Sequence, residues 1–128
     1  MENKRYEMGL KKLQEVDGAE GVSVIESLND IAPDMGKYIV EFAFGDIYNR
    51  NGINLAMRQA VTIAALSALG GCEKQLQIHI NAALNVGLGQ EEIIETIIHC
   101  VPYIGFPKAL NALSVAKEVF KEKKIGGE

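Results

Sequence analysis

The sequence predicts an all-α chain of six to seven helices, organised as one helical domain over residues 1–128. Three observations carry that prediction. Apolar residues recur every three to four positions, the alternation of a half-buried strand is nearly absent, and Gly, Pro and Asn punctuate the chain at intervals suited to helices. Tyr6, Leu10, Leu13 and Val16 form the first stripe, and Asp17-Gly18 ends it. Val22-Ser23-Val24-Ile25 reads as a short strand or a helix, with Ile25, Leu28 and Ile31 fitting a short helix better. Pro33 suits the first position of a helix. That helix runs through Met35, Ile39, Phe42 and Ala43 and stops near Gly45. Asp46 to Asn54 is a loop with a turn at Asn51-Gly52, and Asn54 is placed to cap the next helix.

That next helix spans Leu55 to Leu69. From Ala60 onward it is apolar nearly all round, which predicts burial on every side, in the core or against another subunit. Gly70-Gly71 breaks the chain. A helix follows from about Cys72 to Val86, ended by Gly87 to Gly89. Gln90-Glu91-Glu92 opens another, with negative charge at the positive end of its dipole. Its stripe is Ile93, Ile94, Ile97, Ile98 and Val101, and Pro102 is expected to end or kink it. Gly105-Phe106-Pro107 starts the last helix, with Phe106, Ala109, Leu110, Leu113, Ala116 and Phe120 inward. The tail KEKKIGGE is expected to fray.

Composition narrows the function classes. The chain has 128 residues, 48% hydrophobic and 23% charged, with 13 Lys+Arg against 17 Asp+Glu and a net charge of −4. No basic cluster offers a footprint for nucleic acid. The longest nearly apolar run, Ala60 to Gly71, is too short to span a bilayer. The N-terminus shows no apolar core of a secretion signal. Two cysteines make no disulfide framework. The expectation is a soluble, cytoplasmic protein. The apolar content, the greasy helix and an off-stripe Ile78 also point to a homo-oligomer.

Few residues can carry chemistry. Of two histidines, His79 shares a helix face with Cys72, Leu76, Ile80 and Ala83, so it points inward. Two readings stand open for it: a core histidine satisfied by a carbonyl or carboxylate, or a proton-transfer group. His99 flanks the Ile94/Ile98 stripe and suits a surface or interface. Of three arginines, Arg5 is expected to be solvated. Arg50 and Arg58 bracket the Asn51–Asn54 turn. Arg58 opens an apolar helix at the end a cation does not favour, so it needs an anionic partner: Glu41, Asp46 or a bound anion. No metal-ligand spacing, phosphate loop or dinucleotide glycine pattern is present, and no cofactor is expected.

These residues resemble the carboxymuconolactone decarboxylase family. The resemblance covers roughly Pro33 to Phe120 and rests on the run EFAFGDIYNRNGINLAMRQAVTIAALSALGGCEKQLQIHINAALNVGLGQEEIIETI, followed by YIGFPKALNA. It implies an alkylhydroperoxidase D-like helical fold assembled as a homo-oligomeric ring, hexameric or trimeric. It also implies cofactor-free decarboxylation of a carboxylated unsaturated lactone, 4-carboxymuconolactone to 3-oxoadipate enol-lactone plus CO2, or a related small-acid lyase reaction. In that reading His79 and Arg58 are catalytic, Arg50 and Arg58 bind the carboxylate substrate, and Glu41 orients a partner from behind. A second branch of the family is a thiol peroxidase built on CxxC followed by a histidine. This chain keeps Cys72 and His79, has Gln75 at the second cysteine and Ala60 where that branch has a glutamate. A CxxC dithiol cycle is therefore excluded. A one-cysteine peroxidase at Cys72, resolved by Cys100 or an external thiol, is one alternative, and a non-catalytic ring binding a small anion is another.

Overall fold

A computed structural model describes residues 3–123 of the chain. Among the described residues all regular structure is helical: six α-helices and one π-helical stretch. The expected fold class is therefore found. No described helix is long and apolar enough to cross a membrane. The chain divides into two units, Met1–Leu55 and Ala56–Glu128.

In the first unit, helix α1 spans Lys4–Ser27. Asn3 caps it, its side-chain oxygen accepting from the Tyr6 amide at 3.1 Å. The break expected at Asp17-Gly18 is a kink inside the helix, where Gly18 takes φ 63°, a conformation open to glycine at little cost. The segment after it is helical, which settles the Val22–Leu28 ambiguity. Asp17 beside the kink is buried, with Oδ1 unpartnered. Burial first, and the charge of Glu20 second, push its carboxyl up to about 7.

Helix α2 spans Pro33–Tyr38, with Pro33 at its start as expected. It runs directly into the π-helical stretch Ile39–Ile47, marked by the five-residue bond from the Tyr48 amide to the Ala43 carbonyl at 2.8 Å. The inward residues are Gly36, Val40, Glu41 and Phe44. Met35 and Phe42, expected inside, are 51% and 59% exposed. Phe42 lies in an almost wholly apolar run, so hydrophobicity alone did not choose the face. The close approach of two glycines does: the Gly9 Cα would lie 3.6 Å from a Cβ at Gly45. Helix α1 and the π-helical stretch thus meet backbone to backbone, and Phe44 stacks on Tyr48 with ring centroids 4.6 Å apart.

Arg5 corrects another expectation. It is not simply solvated. Its guanidinium grips Asp46 at 2.7 and 3.1 Å and reaches Glu41 at 3.2 Å. Asn3 Nδ2 donates to the other oxygen of Glu41 at 2.7 Å. The hydrogen bond from Arg5 holds the Asp46 carboxyl below its usual range. Glu41 is 5% exposed, and an acid so placed is retained by such donors.

The second unit holds α3 (Leu55–Leu69), α4 (Glu73–Asn85), α5 (Gln90–Ile104) and α6 (Phe106–Glu122). Its core combines Ile63, Leu76, Ile80, Ala83, Ile93 and Ile97 with Ala109, Ala112, Ala116, Val119 and Phe120. Glu92 Oε1 accepts from the Gly89 amide at 2.8 Å and fixes the start of α5. Pro102 lies inside α5 and does not end it; Gly105, at φ 86°, does, and it opens α6 as well. The inward face of α6 carries Ala109, Ala112 and Ala116 in its first half and Val119 and Phe120, the latter as expected, toward its end. Phe106 and Leu110 are 69% and 60% exposed, because Ala109, Ala112 and Ala116 let α4 and α5 approach closely. Ile98, expected inside, is 45% exposed, and Ile78 is partly buried. His99 is exposed, its ring 5.9 Å from that of Tyr103. Most of the tail lies outside the described residues.

A methyl group at Gly9 would press into the Val40 carbonyl. Gly9→Ala should therefore lower stability by about 1–3 kcal/mol, despite alanine's better helix propensity. Gly52→Ala, where a Cβ meets nothing within 4 Å, should change little. Urea unfolding of both variants checks the contrast.

Candidate active site

Helix α3 is apolar along most of its length, yet it buries only one stripe: Gln59, Ile63 and Ser67, spaced every fourth residue. The opposite stripe, Met57, Val61, Ala65 and Leu69, is exposed within this chain, with Val61 at 57% and Leu69 at 68%. The expectation of burial on every side is thus not met by the chain itself. On the inward stripe, Ser67 donates back to the Ile63 carbonyl at 2.7 Å. Gln59 is fully buried. An amide in such a place requires a partner, and His79 is one: Gln59 Oε1 lies 3.0 Å from His79 Nδ1.

His79 stands midway along α4, between the buried Leu76 and Ala83. Burial pushes its pKa down from 6.5 to about 4, because a low-dielectric surrounding disfavours the charged ring. The imidazole is therefore neutral at pH 7. The core reading of His79 finds a partner here: it is an inward histidine satisfied by a side chain, an amide rather than a carboxylate. The residue reasoning from sequence missed is Gln59. The signal was available: in LAMRQAVTIAALSAL it is the one amide, four residues before Ile63 on the inward stripe. It stands one residue before Ala60, where the resemblance places the missing glutamate.

Arg58 adjoins Gln59 in the first turn of α3. It is partly buried, with its Nε out of reach of solvent, and its carbonyl accepts from Thr62 Oγ1 at 2.9 Å. Arg50 sits exposed on the loop of the first unit. Glu41 belongs to the first unit as well, held by Asn3 and Arg5. Cys72 immediately precedes α4, its Sγ 3.4 Å from the Gly70 carbonyl, beside a small cleft lined by Ser67, Leu76, Lys108 and Asn111. Lys108 Nζ donates to the Ala68 carbonyl at 3.1 Å at the end of α3. Seven residues of helix separate Cys72 from His79, about 10 Å along the axis. The thiol and the imidazole keep different partners. Cys100, on α5, bonds the Thr96 carbonyl at 3.4 Å. Among the described residues no three His, Cys, Asp or Glu side chains gather as a metal would require.

Comparison with known proteins adds three relatives and one family. The model of the carboxymuconolactone decarboxylase family matches residues 33–118. A 4-carboxymuconolactone decarboxylase of Acinetobacter baylyi is 39% identical over 128 residues, covering 99% of this chain and 95% of that protein. An uncharacterized 15.0 kDa protein of Paracoccus denitrificans is 30% identical over 100 residues, 77% of this chain and 75% of its own length. A nitrosuccinic acid decarboxylase of Metarhizium robertsii is 24% identical over 124 residues, 96% of this chain and 86% of that protein.

The largely buried imidazole has a measurable signature. Between pH 6.5 and about 4 the unfolded chain binds a proton at His79 that the folded chain refuses. Folding stability attributable to His79 should therefore fall as pH drops through that window, by on the order of 3 kcal/mol in all. Urea unfolding across pH, comparing the natural chain with His79→Gln, isolates this from Asp17, whose raised pKa acts in the opposite direction. An NMR titration of the imidazole should show its midpoint near 4.

Proposed function

This chain belongs to the carboxymuconolactone decarboxylase family, and on that footing we propose that it is a cofactor-independent carboxy-lyase. Its substrate class is a small unsaturated carboxylate of the 4-carboxymuconolactone type. The observation that carries the reading is the full-length likeness to the Acinetobacter baylyi decarboxylase. The geometry supports it by holding a neutral ring at His79, oriented by Gln59 at 3.0 Å.

The chemistry needs little else. When the bond to the departing carboxylate breaks, its electron pair enters the conjugated lactone, and negative charge gathers on the lactone carbonyl oxygen. The lactone is its own electron sink. One proton delivered to carbon completes the enol-lactone. Arg58 supplies a fixed planar cation for a carboxylate or for that developing oxyanion. His79 delivers the proton. The resting ring is neutral, and bound carboxylates favour its protonated form by opposite charge, so the substrate's arrival arms the acid that its decarboxylation then consumes.

We also read the chain as a homo-oligomer, a hexameric or trimeric ring. What supports this is the exposed face of α3, where Met57, Val61 and Leu69 are each more than half exposed. Apolar surface in a continuous stripe is characteristic of an interaction site.

His79→Ala should lower the rate of CO2 release from 4-carboxymuconolactone by about 10²–10⁴-fold, with the assembly intact by size exclusion. A fully active variant removes His79 as the acid. Arg58→Lys should lose nearly as much activity as Arg58→Ala if two-point contact with a carboxylate matters. Separately, Val61→Glu should reduce the particle mass measured by light scattering; a natural chain that is already monomeric overturns the ring.

A further inference from the structure

We propose that Gln59 is a positioning residue that fixes His79 as the Nδ1–H tautomer, leaving the lone pair of Nε2 as the face the resting imidazole offers. The inference rests on hydrogen-bond grammar. The atom of Gln59 that meets the ring is the amide oxygen, 3.0 Å from Nδ1, and a carbonyl oxygen only accepts. Nδ1 must therefore carry hydrogen. The neutral ring has one N–H to place, so Nε2 carries none.

The surroundings keep that arrangement in place. Gln59 has no exposed surface and sits on the one stripe of α3 that packs inward, a turn before Ile63. His79 sits in the middle of α4, between core residues on the preceding and following turns, so neither partner is free to drift. An amide, rather than a carboxylate, is the partner that orients the ring without charging it. A carboxylate at the same place would hold the imidazolium at rest.

For the decarboxylase reading, on which this role depends, the consequence is an order of events. A ring with a lone pair at Nε2 has no proton to give to carbon from that nitrogen. It must first take one up from solvent as the substrate binds. The C–C bond then breaks, CO2 leaves with its two oxygens, the electron pair remains on the lactone, and the Nε2 proton passes to carbon. The ring returns to the Nδ1–H form under Gln59, and one solvent proton has been consumed for each CO2 released.

Nitrogen-15 NMR of the full-length, histidine-labelled protein at pH 7 tests the tautomer without turnover. The expected result is a protonated Nδ1 and a lone-pair Nε2 for His79. Gln59→Leu should release the ring to the Nε2–H form and lower kcat more than it raises KM. Gln59→Glu, nearly the same shape and so the safer variant to fold, should raise the His79 midpoint by about 1–3 pH units and shift the pH profile of kcat/KM with it. An Nε2–H ring in the natural protein, or a midpoint unmoved by Gln59→Glu, overturns the role of Gln59. Failure of the natural protein to release CO2 from 4-carboxymuconolactone, with the tautomer as stated, counts against the substrate reading and leaves the assignment of Gln59 standing.

Discussion

A polar side chain with no access to water is tolerated in a helical core only when it is hydrogen-bonded, and this constraint ties α3 to α4. Gln59 and His79 satisfy each other at 3.0 Å. The pairing lies on the one stripe of a nearly uniform apolar helix that turns inward. Burial of the same ring lowers its pKa to about 4.

The first unit depends on a different device. Its helices cross with glycines at the contact, Gly9 against the Val40 carbonyl and Gly45. Close backbone approach sets the rotation of the π-helical stretch, so Phe42 turns outward and Val40 and Phe44 turn in. The same approach brings the start of α1 alongside the π-helical stretch. Arg5 and Asn3 can then hold the buried Glu41, and Arg5 takes Asp46 as well. Arg58 was offered those two carboxylates because they precede it closely in the chain. Arg5, 36 and 41 positions away, bonds both of them, a partnership no local spacing announces.

The greasy helix shows where composition stops being informative. Its all-round apolarity correctly marked α3 as unusual, but apolarity does not say which side meets the core. Gln59, Ile63 and Ser67 point in, and two of those three are polar. Met57, Val61 and Leu69 point out. A hydrophobic scale ranks the two faces the wrong way round. The polar pair is inside because each member finds an acceptor or donor there, Ser67 on the Ile63 carbonyl and Gln59 on His79.

Sequence alone determined the all-α class, the positions of most helix boundaries, the opening of α2 at Pro33, the inward placement of His79 and the family resemblance. Those features are written in periodicity, in residues with restricted backbones and in local motifs, all of which act over a few neighbouring positions. Tertiary structure alone decided that Gln59 faces His79, that Arg5 takes the carboxylates, that Pro102 is accommodated inside α5, and that small residues rather than Phe106 and Leu110 line the inner face of α6 in its first half. Each of these depends on how closely two helices approach and at what rotation. That geometry is set by the fit of side chains from distant parts of the chain.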